Sequence, residues 1–212
     1  MTLALTLHNL ESCPGPTLLV CPLSVISNWT QQLRDHVDNA ALNFSGSGYG
    51  LGGGSGSDGK VNVHVFHGSE RNNSVFFLAT QHIVLTTYGT MTSVYESLSA
   101  DLKTRVLARA SSSNQSGGGG GGGGVGSAAA AAPASTSASG LAPPSADFPS
   151  LFGVTWHRVI LDEAHQIKTL ATKQHRAAVA LAGQRRWCVT GTPVQNKLLD
   201  LQKKVLTVSG LM

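Results

Sequence analysis

The 212-residue sequence contains only three cysteines, and no two of them form a CxxC pair. Cys21 and Cys188 lie in apolar stretches, where a free cysteine usually behaves as a small buried hydrophobic residue. This usage predicts a reducing compartment and argues against a structural zinc site.

Long apolar runs are also lacking. No stretch approaches the roughly 20 apolar residues that cross a membrane, and MTLALTL at residues 1–7 is too short for a signal-peptide core and has no basic leader. We therefore expect a soluble, intracellular protein with no membrane contact. The net charge of +4 is compatible with a polyanionic partner but does not by itself argue for one.

Two low-complexity stretches interrupt the chain, one rich in glycine and serine at 45–59 and one rich in glycine, alanine and serine at 111–148. Because such sequences cannot offset the backbone entropy lost on ordering, we predict flexible, disordered insertions within one domain. Loop-closure entropy grows slowly with length, so a fold can carry both.

The rest of the sequence alternates between short β-branched runs and helical patterns. Ser24 is in place to cap one helix, and Gly183 is in place to end another. This alternation predicts an α/β fold with a mostly parallel sheet flanked by helices. The predicted strands are 17–21, 61–66, 82–87, 157–161 and 186–190.

An acidic pair, Asp162 and Glu163, directly follows the predicted strand HRVIL. Ligands of open α/β sheets bind at this carboxyl end, where one carboxylate can hold Mg²⁺ and its neighbour can deprotonate the water that attacks a γ-phosphate. A solvated helix N-terminus would explain a bare Asp-Glu pair, but DEAH after a buried strand favours a nucleotide hydrolase.

A phosphate-binding loop, G-x-x-x-x-G-K-[ST], is not found. The nearest match runs from Gly54 to Val61, but Val61 has no hydroxyl for Mg²⁺, and VNVHVF reads as a strand where a helix is needed. We also assign no metal site to His64 and His67, because residues three apart on a strand point to opposite faces.

Five ordered segments carry a family resemblance: LLVCPLSVISNW, HVFHGSERN, IVLTTYGTM, WHRVILDEAHQIKT and RRWCVTGTPVQNKLLDL. They resemble the first RecA-like lobe of the Swi/Snf-type DNA-dependent ATPases of helicase superfamily two, in the branch of helicase-like transcription factor and its postreplication-repair relatives. The resemblance covers nearly all of the chain outside the two insertions. It implies a partial N-terminal ATPase lobe over 1–212, a nuclear location, ATP and Mg²⁺ as cofactors, and duplex DNA or chromatin as partner.

The resemblance also implies roles for single residues. Asp162 would hold Mg²⁺ through the nucleotide, Glu163 would activate water, and His165 would link this site to the rest of the motor. TGTPVQN resembles a motif that couples nucleotide state to DNA contact, although a tight turn with capping threonines would explain TGTP alone. Its residues are Thr190, Gly191, Thr192, Gln195 and Asn196.

CPLSVISNW and TTYGTM resemble the two segments of the family that follow the DNA backbone. Hydroxyls and helix-terminal amides contact phosphates without regard to base. Ordinary capping at a strand end is the alternative for the threonines. The candidate DNA-binding residues are Pro22, Ser24, Thr86, Thr87 and Tyr88.

Two hypotheses remain open. The chain is the first lobe of an ATP-dependent DNA translocase or chromatin remodeller that acts in DNA repair or transcription, or it is a truncated, non-catalytic fragment or DNA-binding pseudo-enzyme. The resemblance places the phosphate-binding loop just before Met1, and it assigns a catalytic arginine to a second RecA-like lobe absent from this sequence. Whether this chain alone hydrolyses ATP is therefore uncertain.

Overall fold

In the part of the chain that the structure describes, six parallel strands form one sheet. The computed structural model describes residues 2–8, 15–38, 41–46, 61–115, 141–167 and 169–191. A mostly parallel sheet flanked by helices is thus confirmed. The strands are β1 (Thr17–Cys21), β2 (Leu42–Gly46), β3 (Val61–Phe66), β4 (Ile83–Thr87), β5 (Trp156–Asp162) and β6 (Gly183–Val189). Their order in the sheet is β2-β3-β4-β1-β5-β6.

Six α-helices are described, with short 3-10 turns at Leu23–Val25, Ser150–Phe152 and Ala164–Ile167. Within the described residues, no helix is long and apolar enough to span a membrane. The helices are α1 (Thr2–His8), α2 (Ile26–His36), α3 (Val75–Ala79), α4 (Tyr88–Glu96), α5 (Ala100–Gln115) and α6 (Lys173–Val179).

The sheet is covered on both faces, which is why strands β1 and β4 are buried at every position. Leu18 and Val20 of β1 enter a core shared with α3 to α6, whereas Leu19 and Cys21 enter a second core shared with α1 and α2. Both cores meet at β1, the strand between β4 and β5. The carboxyl ends of these three strands therefore lie side by side.

The described structure extends into both predicted insertions. Ser45 and Gly46 belong to β2, a strand that was not predicted, and the Ser45 hydroxyl lies 2.9 Å from His64 Nδ1. Helix α5 continues to Gln115, and Leu141 is buried. The ends of the low-complexity stretches thus contribute to the ordered domain.

Two predicted helix caps are wrong. Ser24 lies inside a 3-10 turn, and α2 begins after Val25 without a side-chain cap. Gly183 does not end a helix, because α6 ends at Val179 and Gly183 opens β6. A Cβ on Gly183 would lie 2.7 Å from Val159 Cγ2, so close packing between strands explains this glycine.

Candidate functional site

Asp162 is the last residue of β5, and its half-buried carboxylate is held from two sides. Oδ2 accepts a hydrogen bond from Trp29 Nε1 at 2.8 Å, and Oδ1 accepts one from the Glu163 backbone N–H at 2.9 Å. An ionised carboxylate can accept about four hydrogen bonds, so both oxygens retain capacity for another ligand. The carboxylate is therefore oriented but not saturated.

Glu163 forms the turn that follows β5 in a strained backbone conformation. Its φ of +49° lies in the left-handed region, which non-glycine residues rarely adopt. Its Oε2 lies 3.0 Å from His165 Nδ1, and the two side chains are 41% and 37% exposed. Backbone strain of this kind concentrates at functional sites, and here it holds a carboxylate at the surface beside Asp162.

The donor set at this strand end fits Mg²⁺ bound through a nucleotide. Mg²⁺ usually takes one or two protein carboxylates and fills its other positions with water and phosphate oxygens. Asp162 supplies one such carboxylate, and Glu163 lies next to it. Among the described residues there is no group of three or more His, Cys, Asp or Glu side chains that could cage a metal ion, so an all-protein site is not formed there.

The hydroxyls at the end of β4 point inward. Thr86 is fully buried and donates to the Phe66 carbonyl at 2.9 Å. Tyr88 is also buried and donates to the Asp162 carbonyl at 2.7 Å. Burial, aided by the nearby Cys188 and Asp162, raises the pKa of Tyr88 well above its usual range, which keeps it a donor. The Thr86 and Tyr88 hydroxyls are thus each paired with a main-chain carbonyl of this chain.

Thr87 has a different role at the same strand end. Its side chain caps α4 by accepting the Thr90 N–H at 3.1 Å, and its hydroxyl donates to Thr90 Oγ1 at 2.9 Å. The capping alternative is therefore what the structure shows for the Thr87 side chain. Apart from the Thr90 N–H, which Thr87 caps, the backbone amides of the first turn of α4 can serve as donors for an anion.

A cavity of about 430 Å³ opens beside these residues. It is lined by Pro22 after β1, by Thr87 and Tyr88 at the start of α4, and by His67 and Arg71 after β3. Ser24 is exposed and does not line it. The cavity thus joins both sequence segments that were predicted to contact DNA.

His67 and Arg71 were not predicted as site residues. His67 Nδ1 lies 2.9 Å from Thr90 Oγ1, and Arg71 Nη1 donates to the Gly68 carbonyl at 2.6 Å while its guanidinium lies over the Phe66 ring. Both residues follow the carboxyl end of β3, and this position in the sequence could have indicated them as site residues. Together they bring a cation and an imidazole to the cavity.

The predicted coupling motif follows β6. Val189 is in register with Asp162, so Thr190 and Gly191 continue next to the acidic strand end. Thr190 is half-buried and Gly191 is exposed. Thr192, Gln195 and Asn196 lie outside the described residues.

Cys21 closes β1 between the two polar strand ends. Burial, with a smaller effect of Asp162, raises the pKa of its thiol to about 12, and Sγ lies 3.6 Å from the Thr86 carbonyl. A neutral buried thiol is a poor nucleophile and metal ligand. Cys21 is thus a packing residue.

The family assignment follows from the extent of the sequence match. Residues 1–208 match the sequence model of the SNF2-related domain. This chain belongs to the SNF2-related domain family. The SNF2-related chain is 30% identical to helicase-like transcription factor of Homo sapiens over 193 residues, which is 91% of this chain and 13% of that protein.

Two further relatives and a solved structure support the family assignment. The chain is 27% identical to DNA repair protein RAD5B and 36% identical to helicase-like transcription factor CHR27, both of Arabidopsis thaliana, over 88% and 87% of its length. It spans 10% and 16% of those proteins. The fold matches the Sulfolobus solfataricus SWI2/SNF2 ATPase core solved with dsDNA, with a TM-score of 0.53 and 21% identity, over 99% of this chain and 28% of that one.

Proposed function

We propose that this SNF2-related chain acts as the first lobe of an ATP-dependent DNA translocase, with a nucleotide site at the end of β5 and a duplex-backbone site at the cavity. The proposal rests on the position of Tyr88 between the two sites. This residue lines the cavity and donates a hydrogen bond to Asp162 at 2.7 Å, so the two sites adjoin.

At the nucleotide site, each side chain has one task. Asp162 would hold Mg²⁺ through the nucleotide, and the ion would neutralise charge on the phosphate oxygens. Glu163 would accept the proton of the attacking water, with His165 fixing its carboxylate from 3.0 Å. Thr190 and Gly191, next in register, would couple this site to DNA contact together with Thr192, Gln195 and Asn196.

At the duplex site, the proposed contacts are with phosphates. Arg71 and His67 supply side-chain donors at the cavity, and α4 supplies amides and the positive end of its dipole. Ser24, exposed next to the cavity-lining Leu23, supplies a hydroxyl outside the cavity. Such contacts position a duplex without reading its bases, which suits movement along DNA or chromatin. The relatives named above as DNA repair proteins and helicase-like transcription factors favour a nuclear role in repair or transcription.

A second candidate is a DNA-binding module that does not hydrolyse ATP. One observation favours it: in the described part of the chain, no glycine-rich loop leads into a helix, and Val61, the end of the nearest loop-like match, opens strand β3. For this chain alone we therefore expect nucleotide binding with only background ATP turnover.

Nucleotide binding separates the two candidates. We expect a fluorescent ATP analogue to bind the chain saturably with Mg²⁺, and Asp162→Asn to weaken binding at least about tenfold because the carboxylate charge is lost. Asparagine keeps one acceptor oxygen, for the Trp29 indole, and loses the acceptor for the Glu163 N–H, so we expect the fold to persist with a small loss of stability. Asp101→Asn, an equal charge change on exposed α5, is the matched control and should bind as the wild type does.

Each outcome favours one candidate. Binding that is absent, or that is equal in wild type and Asp162→Asn, supports the non-hydrolysing module. Duplex-dependent ATP turnover that disappears in Glu163→Gln would show that the 212-residue chain is catalytic, and it would contradict the expected background rate.

A further inference from the structure

Asp162 receives hydrogen bonds from two helices that both begin near the cavity. Trp29 is on α2, which follows the cavity-lining Pro22 and Leu23, and its indole N–H donates to Asp162 Oδ2 at 2.8 Å. Tyr88 is the first residue of α4, and it donates to the Asp162 main-chain carbonyl at 2.7 Å. Side chain and backbone of one residue are thus tied to both predicted DNA-contacting segments.

We propose that Trp29 and Tyr88 are positioning residues, which relay occupancy of the cavity to the Asp162 carboxylate. The inference rests on the proposed function. It adds a physical connection between the nucleotide and duplex sites, made of one indole and one phenol.

The connection is short and mechanically stiff. Tyr88 is 2% exposed in the first core, so it moves only with the start of α4. Trp29 is half-buried, packs against the second core and is held by its hydrogen bond to Asp162, so its indole follows a movement of α2. A small displacement of either helix by a bound duplex would therefore change a hydrogen bond to Asp162 rather than be absorbed by side-chain rotation.

The Trp29 link acts on a carboxylate oxygen that can bind a cation. Oδ2 is one of two oxygens that Asp162 can offer to a cation, and a charge-assisted hydrogen bond competes for its lone pairs and fixes its orientation. A change in the Trp29 contact would thus alter affinity for Mg²⁺ and nucleotide. By reciprocity, nucleotide would alter affinity for DNA by the same factor.

A purely structural role is the alternative. Partly buried tryptophans usually find an acceptor for the indole N–H whatever the function. A structural hydrogen bond would stay the same when DNA binds, whereas a relay must change.

The chain contains three tryptophans, so ¹⁵N-labelled protein should give three indole N–H signals in a two-dimensional NMR spectrum. Trp29→Phe identifies the Trp29 signal. Trp156 is an internal reference, because it is fully buried and donates to the Leu151 carbonyl at 3.0 Å. On titration with a short DNA duplex, we expect the Trp29 signal to shift and the Trp156 signal to stay in place.

The possible failures are distinguishable. If fluorescence anisotropy shows that the duplex binds while the Trp29 signal is unmoved, the relay is overturned and the proposed function stands. If no duplex binds under any salt condition, the proposed DNA contact fails and the relay fails with it.

Tyr88→Phe tests the second link, because it removes the hydroxyl and keeps the ring in the core. In the wild type we expect duplex DNA to change Mg²⁺–nucleotide affinity at least about fivefold, and in Tyr88→Phe by about half that factor or less. An equal factor in both proteins would overturn the role of Tyr88.

Discussion

Strands β4 and β5 end at the same edge of the sheet, separated only by β1, yet they use their polar residues in opposite ways. At the end of β4, the hydroxyls of Thr86 and Tyr88 are buried and donate to backbone carbonyls. At the end of β5, Asp162 and Glu163 stay partly exposed, and Glu163 holds a strained backbone.

The difference follows from the chemistry of the groups. A neutral hydroxyl is satisfied by one carbonyl of its own chain and can be buried at little cost, whereas a carboxylate is costly to bury unless it is paired. A place at the carboxyl edge therefore indicates nearness to a ligand. Whether a side chain can touch that ligand depends on whether its hydrogen-bonding groups are already committed inside the fold.

Thr86→Val should give the larger effect on stability. It keeps the shape of the side chain and removes the buried hydrogen bond to Phe66, so we expect a loss of about 1–2 kcal/mol in the free energy of unfolding, measured by chemical denaturation. Duplex affinity should stay the same. The control Thr104→Val makes the same change on the exposed face of α5. Weaker DNA binding at unchanged stability would instead show that the Thr86 hydroxyl contacts DNA.

A smaller effect on stability is expected at the end of β5, where two substitutions of Glu163 can be compared. Glu163→Gly and Glu163→Ala both remove the carboxylate and its contact with His165, but only glycine accepts a φ of +49° without strain. We expect the glycine variant to be more stable than the alanine variant by about 1 kcal/mol in thermal or chemical unfolding. Equal stabilities would mean that this turn stores no backbone strain.

The fold was largely predictable because most of its strands are short segments that contain β-branched residues and are bounded by turn residues. Strands β1 and β3 have the predicted ends, and β4, β5 and β6 overlap their predictions. Strand β2, LNFSG, was missed because it runs into glycine- and serine-rich sequence and joins the sheet through backbone pairing with β3. Because β2 ends at Gly46, inside the glycine- and serine-rich stretch at 45–59, the sequence pattern does not show where the strand ends.

The candidate site was predictable only in part. The pattern of two acids after a buried strand located Asp162 and Glu163. The Trp29 contact joins residues 133 positions apart, and the direction of the Tyr88 hydroxyl depends on how α4 packs against the sheet. Local patterns carry no information on such pairings, and so Trp29, His67 and Arg71 became candidates only once the strands were assembled.

Duplex binding by the 212-residue chain tests the central claim most directly. Fluorescence anisotropy with a labelled duplex should show binding that weakens steeply as salt rises, and Arg71→Ala should lower the slope of log affinity against log salt by about one. Arg105→Ala removes an equal charge from exposed α5, outside the cavity, and should change the slope less. Binding that is absent at low salt, or that Arg71→Ala and Arg105→Ala weaken equally, would contradict a DNA site at this cavity.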